Sequence, residues 1–112
     1  MKNILFLFFM LPLIFISCDD SDNNVLISKK FVDDNTYEIV CKGYPKESLT
    51  GIARVESSKR AALLNAYHFT RNTFGDKVMP DKEGSAEEYN IKENYAVITY
   101  VIKKKNLKKL LK

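Results

Sequence analysis

Residues 55–74, VESSKRAALLNAYHFTRNTF, decide the fold of this 112-residue chain. No Pro or Gly interrupts the segment, Ser57 or Ser58 can cap its start, and Gly75 can close its end. Ser58, Ala62, Ala66 and Thr70 recur at every fourth position, which puts four small side chains on one stripe of a helix. A stripe of that kind lets the helix axis lie close to a sheet, while Leu63, Phe69 and Phe74 wedge in beside it. His68 falls away from the stripe and reads as solvated, and Asn65 reads as a surface residue on its flank.

A helix of this design needs a sheet to cover, and the sequence offers one on either side of it. In TYEIVCK, residues 36–42, Tyr37, Ile39 and Cys41 alternate with Glu38, Val40 and Lys42, the period of a strand with one face inward. Gly43-Tyr44-Pro45 ends that strand, because Pro cannot donate to a ladder. Towards the C-terminus, YAVITYVI at 95–102 is β-branched and aromatic on both faces, as suits a strand flanked on both sides. A wholly irregular connection from Asp76 to Asn94 is too long for a compact domain, so a further strand is expected at 87–92, turning through Glu93-Asn94 into the last one.

The order is therefore β-α-β-β. With CKGYP closing the first strand and SSKRAALLNAYHF in the helix, residues 37–102 resemble the Lpp-twenty-type small lipoproteins and the related N-terminal domain of a flagellar ring protein. The resemblance implies an α+β fold, dodecin-like, with one long helix packed on an antiparallel sheet, in envelope proteins without enzymatic chemistry. It brings no catalytic residue with it.

The N-terminus carries an address. Met1-Lys2-Asn3 is short and positive, Ile4 to Ile16 is apolar except for Pro12, and Ser17 precedes Cys18. The apolar run is too short to cross a bilayer, which takes roughly 20 residues, and it has the layout of a secretory signal peptide. Phe15-Ile16-Ser17-Cys18 resembles the looser lipoboxes of spirochaetal lipoproteins, in which the Cys thiol receives a diacylglycerol and the chain is cut just before it. The alternative is an ordinary signal peptide, with Cys18 free or bridged to Cys41. On the lipidated reading, residues 1–17 are the signal peptide, 18–30 a lipidated tether, 31–103 the α+β domain and 104–112 a basic tail.

Charge is unevenly spread. Residues 103–112, KKKNLKKLLK, hold six lysines and no acid, whereas residues 18–102 hold eleven Lys and Arg against fourteen acids. A basic run confined to one terminus does not resemble a folded nucleic-acid-binding face, so no nucleic-acid partner is expected. The tail reads either as a frayed end or as a short helix with Leu107, Leu110 and Leu111 on one side and lysines towards anionic headgroups on the other.

Residues capable of chemistry are few and scattered. One His and one remaining Cys cannot make a zinc site. Cys41, on the inward face of a strand, reads as a small buried hydrophobe. Glu87 and Glu88 are adjacent and point to opposite faces of a strand, Asp33-Asp34 lie in tether-like surroundings, and Asp76, Asp81 and Glu83 lack calcium-loop spacing. No catalytic, cofactor-binding or metal-binding residue is therefore expected, and the single site residue is Cys18, as a lipidation site. The expectation is a non-enzymatic, lipid-anchored bacterial envelope protein, periplasmic or surface-facing, that acts on a protein partner or on its own copies. Membrane binding through the lysine tail and a small ligand-binding or hydrolytic domain are the alternatives.

Overall fold

The computed structural model describes residues 25–112. The segment read as a signal peptide, Cys18 and the acidic start of the expected tether fall outside the described residues. Four strands form one antiparallel sheet: β1 (Leu26–Asp33), β2 (Thr36–Gly43), β3 (Gly84–Ile91) and β4 (Ala96–Lys103), in the order β1-β2-β4-β3. One long helix, α1 (Gly51–Phe74), crosses one face of the sheet, and a single-turn helix, α2 (Pro80–Glu83), leads into β3. The architecture is α+β, as the periodicity implies.

The small stripe does what its spacing requires. Ser58, Ala62, Ala66 and Thr70 are all buried against the sheet, with Phe69 and Phe74 beside them. Opposite them stand Tyr37, Ile39 and Cys41 of β2 and Ile98, Tyr100 and Ile102 of β4, every one of them buried. Approach is closest at Gly43, where a Cβ would fall inside contact distance of the Ala62 backbone nitrogen and the Ser58 carbonyl oxygen. Only a residue without a side chain lets α1 settle there.

The polar members of the stripe cost little, because they bond within the helix. Ser58 Oγ donates to the Arg54 and Val55 carbonyls, both at 3.0 Å, and Thr70 Oγ1 donates to Ala66 O at 2.8 Å. Neither Ser57 nor Ser58 caps the helix. It begins at Gly51, four residues before Val55, with Thr50 at the N-cap and no side-chain cap bond. Ser57 Oγ instead accepts the Lys46 N–H at 3.0 Å and ties the incoming loop to the helix. Gly75, with φ of 65°, closes the other end and donates to Arg71 O.

Asn65 is not a free surface residue. Its Nδ2 donates to Lys42 O at 2.8 Å and fastens α1 to the end of β2.

The sheet has one strand more than the periodicity suggests. Leu26 to Lys30, in the stretch read as tether, form the first five of the eight residues of β1. Register shifts between Leu26 and Ser28 and between Phe31 and Asp33 break the alternation that would mark a strand. Asp33 Oδ1 accepts the Asn35 N–H at 2.8 Å and shapes the turn into β2, so the Asp-Asp-Asn cluster is hairpin chemistry. Phe31 then packs edge-on against Tyr37 and Phe74, with ring centroids 4.7 and 6.1 Å apart.

The last nine residues form a strap. Lys104 N–H donates to Asn35 O, Lys108 N–H to Asp34 O and Lys112 N–H to Thr73 O, at 2.9, 3.1 and 2.9 Å. A 3₁₀ turn at Leu107–Leu110 drops Leu107 into the core and leaves Leu110 partly buried. Residues 104–112 are thus part of the fold: Leu107 and Leu110 face the domain interior, while Leu111 stays exposed.

Candidate functional site

Strand alternation puts Tyr37, Ile39 and Cys41 under the helix and turns Glu38, Val40 and Lys42 the other way. On β4 the same rule turns Val97, Thr99 and Val101 outward, and the register sets Val40 against Thr99, Lys42 against Val97 and Glu38 against Val101. No described element crosses this second face. Its centre is apolar, with Val40 and Val97 half-buried and Val101 buried among its neighbours.

Polar groups from the edge strands surround that centre. Ser28 and Lys30 of β1 lie opposite Val40 and Glu38, while Ser85, Glu88 and Asn90 of β3 lie opposite Val101, Thr99 and Val97. Lys30 Nζ stands 3.9 Å from Glu38 Oε1, and Lys42 Nζ lies 4.8 Å from the centroid of Tyr95. An apolar centre within a polar, hydrogen-bonding rim is the anatomy of a protein interface.

The other candidate residues do not converge. His68 is exposed, and one ring nitrogen lies 3.1 Å from Asn72 Nδ2. Glu87 and Glu88 are both exposed at a β3 bulge between Ala86 and Glu88. Glu83 accepts from the Met79 N–H at 2.8 Å and pairs with Lys104, which together hold its carboxyl below the usual carboxylate range. Among the described residues, no group of three His, Cys, Asp or Glu side chains could hold a metal ion.

Cys41 is a free thiol, fully buried, with Sγ 3.5 Å from Ala62 O. Burial pushes its pKa up to about 12, so at neutral pH it carries a proton and lacks the thiolate that nucleophilic chemistry needs. Tyr100 is raised as well, chiefly by burial. Its ring lies over Gly84, where any Cβ would collide with it, and its hydroxyl donates to Pro80 O, joining β4 to α2.

Further concavities flank the domain. A cleft of about 770 Å³ between the β1–β2 turn and Lys103–Lys105 mixes acidic and basic groups. A groove of about 640 Å³ runs between the loop after β2 and the outer side of α1, past Tyr44, Leu49 and Leu64, with Lys46 and Arg60 on its rim. Its helix wall, from Ala53 through Glu56, Ser57, Arg60 and Ala61 to Leu64, keeps helical spacing, but Tyr44, Lys46 and Leu49 come from the loop after β2, and only the fold brings the two walls together. Cys18 lies outside the described residues, but the chain leading from it enters the fold at Val25, whose carbonyl accepts the Lys42 N–H at 2.7 Å. Among the described residues no helix is long and apolar enough to cross a membrane. Compared with known proteins, the chain matches no family model, no curated sequence and no solved structure.

Proposed function

We propose that the chain is a lipid-anchored protein of the bacterial cell envelope, exported by its signal peptide and held to a membrane by acylated Cys18. It works without catalysis, by binding an envelope protein or further copies of itself. One observation carries the binding half of this reading: an uncovered sheet face whose centre is Val40, Val97, Thr99 and Val101 and whose rim is charged and polar. An antiparallel sheet can keep one face in water, and the apolar centre of this one gives a partner or a second copy a surface to pack on.

The anchoring half rests on the order of charge, apolar run, small residue and Cys at the N-terminus, and on the resemblance to small lipoproteins carried by residues 37–102. Two or more acyl chains hold a protein to a bilayer for practical purposes permanently, whereas one binds only marginally. Cys18→Ser should abolish incorporation of labelled palmitate and leave the precursor uncut. Undiminished labelling of the Ser variant ends the lipoprotein reading.

The lysine tail is the weaker membrane ligand. Leu107, which would have to face the bilayer, is buried in the domain core, and Lys104 is committed to Glu83.

A further inference from the structure

The two ends of the sheet differ, and the chain enters the fold at one of them. Gly43 of β2, Ala96 of β4 and Ile91 of β3 form a row across one end, while Thr36 and Lys103 mark the other. At about 3.3 Å per residue, the two rows are roughly 23 Å apart. Val25 belongs to the first end, through its bond with Lys42, and the lysine-rich strap closes the second.

Apolar side chains project into solvent at both ends: Val32 and Leu111 are about half exposed at the second, and the most exposed of all, Ile52, stands at the first. Ile52 is 83% exposed, and Ile27, Tyr44 and Ile91 are each about half exposed. Ser58 lies against Gly43 and α1 runs from there towards the second end, so Ile52, six residues earlier, overhangs the row by about 9 Å. Lys46 in the loop and Lys92 in the β3–β4 turn, both exposed, lie at this end, each followed by an exposed glutamate, Glu47 and Glu93. Aliphatic and tyrosine side chains interspersed with lysine suit the headgroup boundary of a bilayer, where the chains enter a few ångströms and the ammonium groups meet phosphate.

We propose that this end of the domain, led by Ile52 and Tyr44, rests on the lipid surface to which Cys18 is anchored. The proposal rests on the lipid-anchor reading, and tether length decides between the ends. From Cys18 to Val25 there are seven residue steps, which fully extended reach no more than about 25 Å. Turning the strap to the membrane would lift Val25 by the length of the sheet and demand nearly all of that reach. With the first end down, Val25 stands near the surface and the span asks for only a small part of that reach. The open sheet face then stands roughly upright from the membrane, accessible to a partner or a neighbouring copy.

The chain contains no Trp, so a single introduced Trp reports its own surroundings. The mature, acylated protein would carry Ile52→Trp, Tyr44→Trp or Leu111→Trp, the last an exposed position on the strap. Each would be reconstituted into phosphatidylethanolamine–phosphatidylglycerol vesicles doped with brominated phosphatidylcholine. Blue-shifted and quenched emission from Ile52→Trp and Tyr44→Trp, with unquenched emission from Leu111→Trp, is the expected result. Quenching of Leu111→Trp alone, equal quenching at both ends, or no quenching in protein whose mass shows the acyl chains would overturn the orientation and leave the anchor standing. A purified chain without acyl groups would overturn both.

Discussion

The two faces of the sheet are built from alternate residues of the same two central strands, yet they follow different rules. Under α1 the fit is set by backbone: Gly43 has no room for a methyl group, and Ala62, Ala66 and Cys41 are fully buried. On the opposite face Val40, Val97 and Thr99 stay half-exposed and meet only side chains from neighbouring strands. A covered face tolerates almost no change of volume. The open one tolerates changes in the isolated domain, and such changes should register only where another molecule packs on it.

The largest effect should come from Gly43→Val. Its side chain would have to enter space held by helix backbone, which cannot rotate away as a flexible side chain could. Overpacking of this kind costs about 3 kcal/mol or more, a sizeable part of the stability of a domain this small. Urea unfolding should show a midpoint far below that of the parent chain; an unchanged midpoint would mean that α1 does not rest on β2 at Gly43.

Next comes Ala66→Leu, at the middle of the stripe, with an expected cost of about 1–3 kcal/mol. His68→Ala, two residues away and exposed, should cost less than about 0.5 kcal/mol. Equal midpoints for this pair would reverse the assignment of the helix faces. Asn65→Ala belongs between them, because it removes the bond to Lys42 O and should cost about 1 kcal/mol.

The buried thiol gives the covered face a pH signature. In the unfolded chain Cys41 ionises near its ordinary value of 9.0, but in the fold only at about 12. Folding therefore favours the protonated form, and the stability this contributes is complete below pH 9.0 and lost as pH rises through that window. Tyr37 and Tyr100 are shifted in the same direction by burial and add to the loss. In Cys41→Ala the fall of stability with rising pH should be shallower than in the parent, as unfolding series in steps of pH will show. Parallel slopes would mean that the thiol is hydrated.

How far the faces could be read from sequence depended on whether a period survived. Ser58, Ala62, Ala66 and Thr70 keep theirs, as do Tyr37, Ile39 and Cys41, so the helix, the central strands and both faces of β2 were legible. β1 was not, because two bulges and Lys29-Lys30 interrupt its alternation. α2 is four residues long, too short for periodicity, and only Pro80 at its first position marks it. The strap was hidden by composition: lysines dominate residues 103–112, while the single residue that matters most to packing is Leu107. Asn65 was misplaced because its partner is a carbonyl on β2, a tertiary bond that no local pattern encodes. The open face was legible as alternation in β2, but its polar rim depends on the pairing of β1 and β3, which only the fold supplies.

Among the substitutions in the sheet, the smallest change in stability should come from Val40→Asp, and it tests the open face most directly. Val40 is half-buried and faces away from α1, opposite Ser28 on one side and Thr99 on the other. An aspartate there can keep its carboxylate in water, so the cost to the isolated domain should stay within about 1 kcal/mol, the span of strand preferences at such positions. In an assembly joined through this face, the same carboxylate would be pressed against Val97 and Val101 or their counterparts, without a partner for its charge. The parent chain should therefore sediment as a dimer or larger at micromolar concentration, and Val40→Asp should shift it towards monomer while leaving the unfolding midpoint nearly in place. A strictly monomeric parent, with no envelope protein captured by cross-linking from residues flanking Val40, would remove the open face as an interface. An assembly that Val40→Asp leaves intact would move the contact elsewhere, with the exposed edge of β3 as the next surface to mutate.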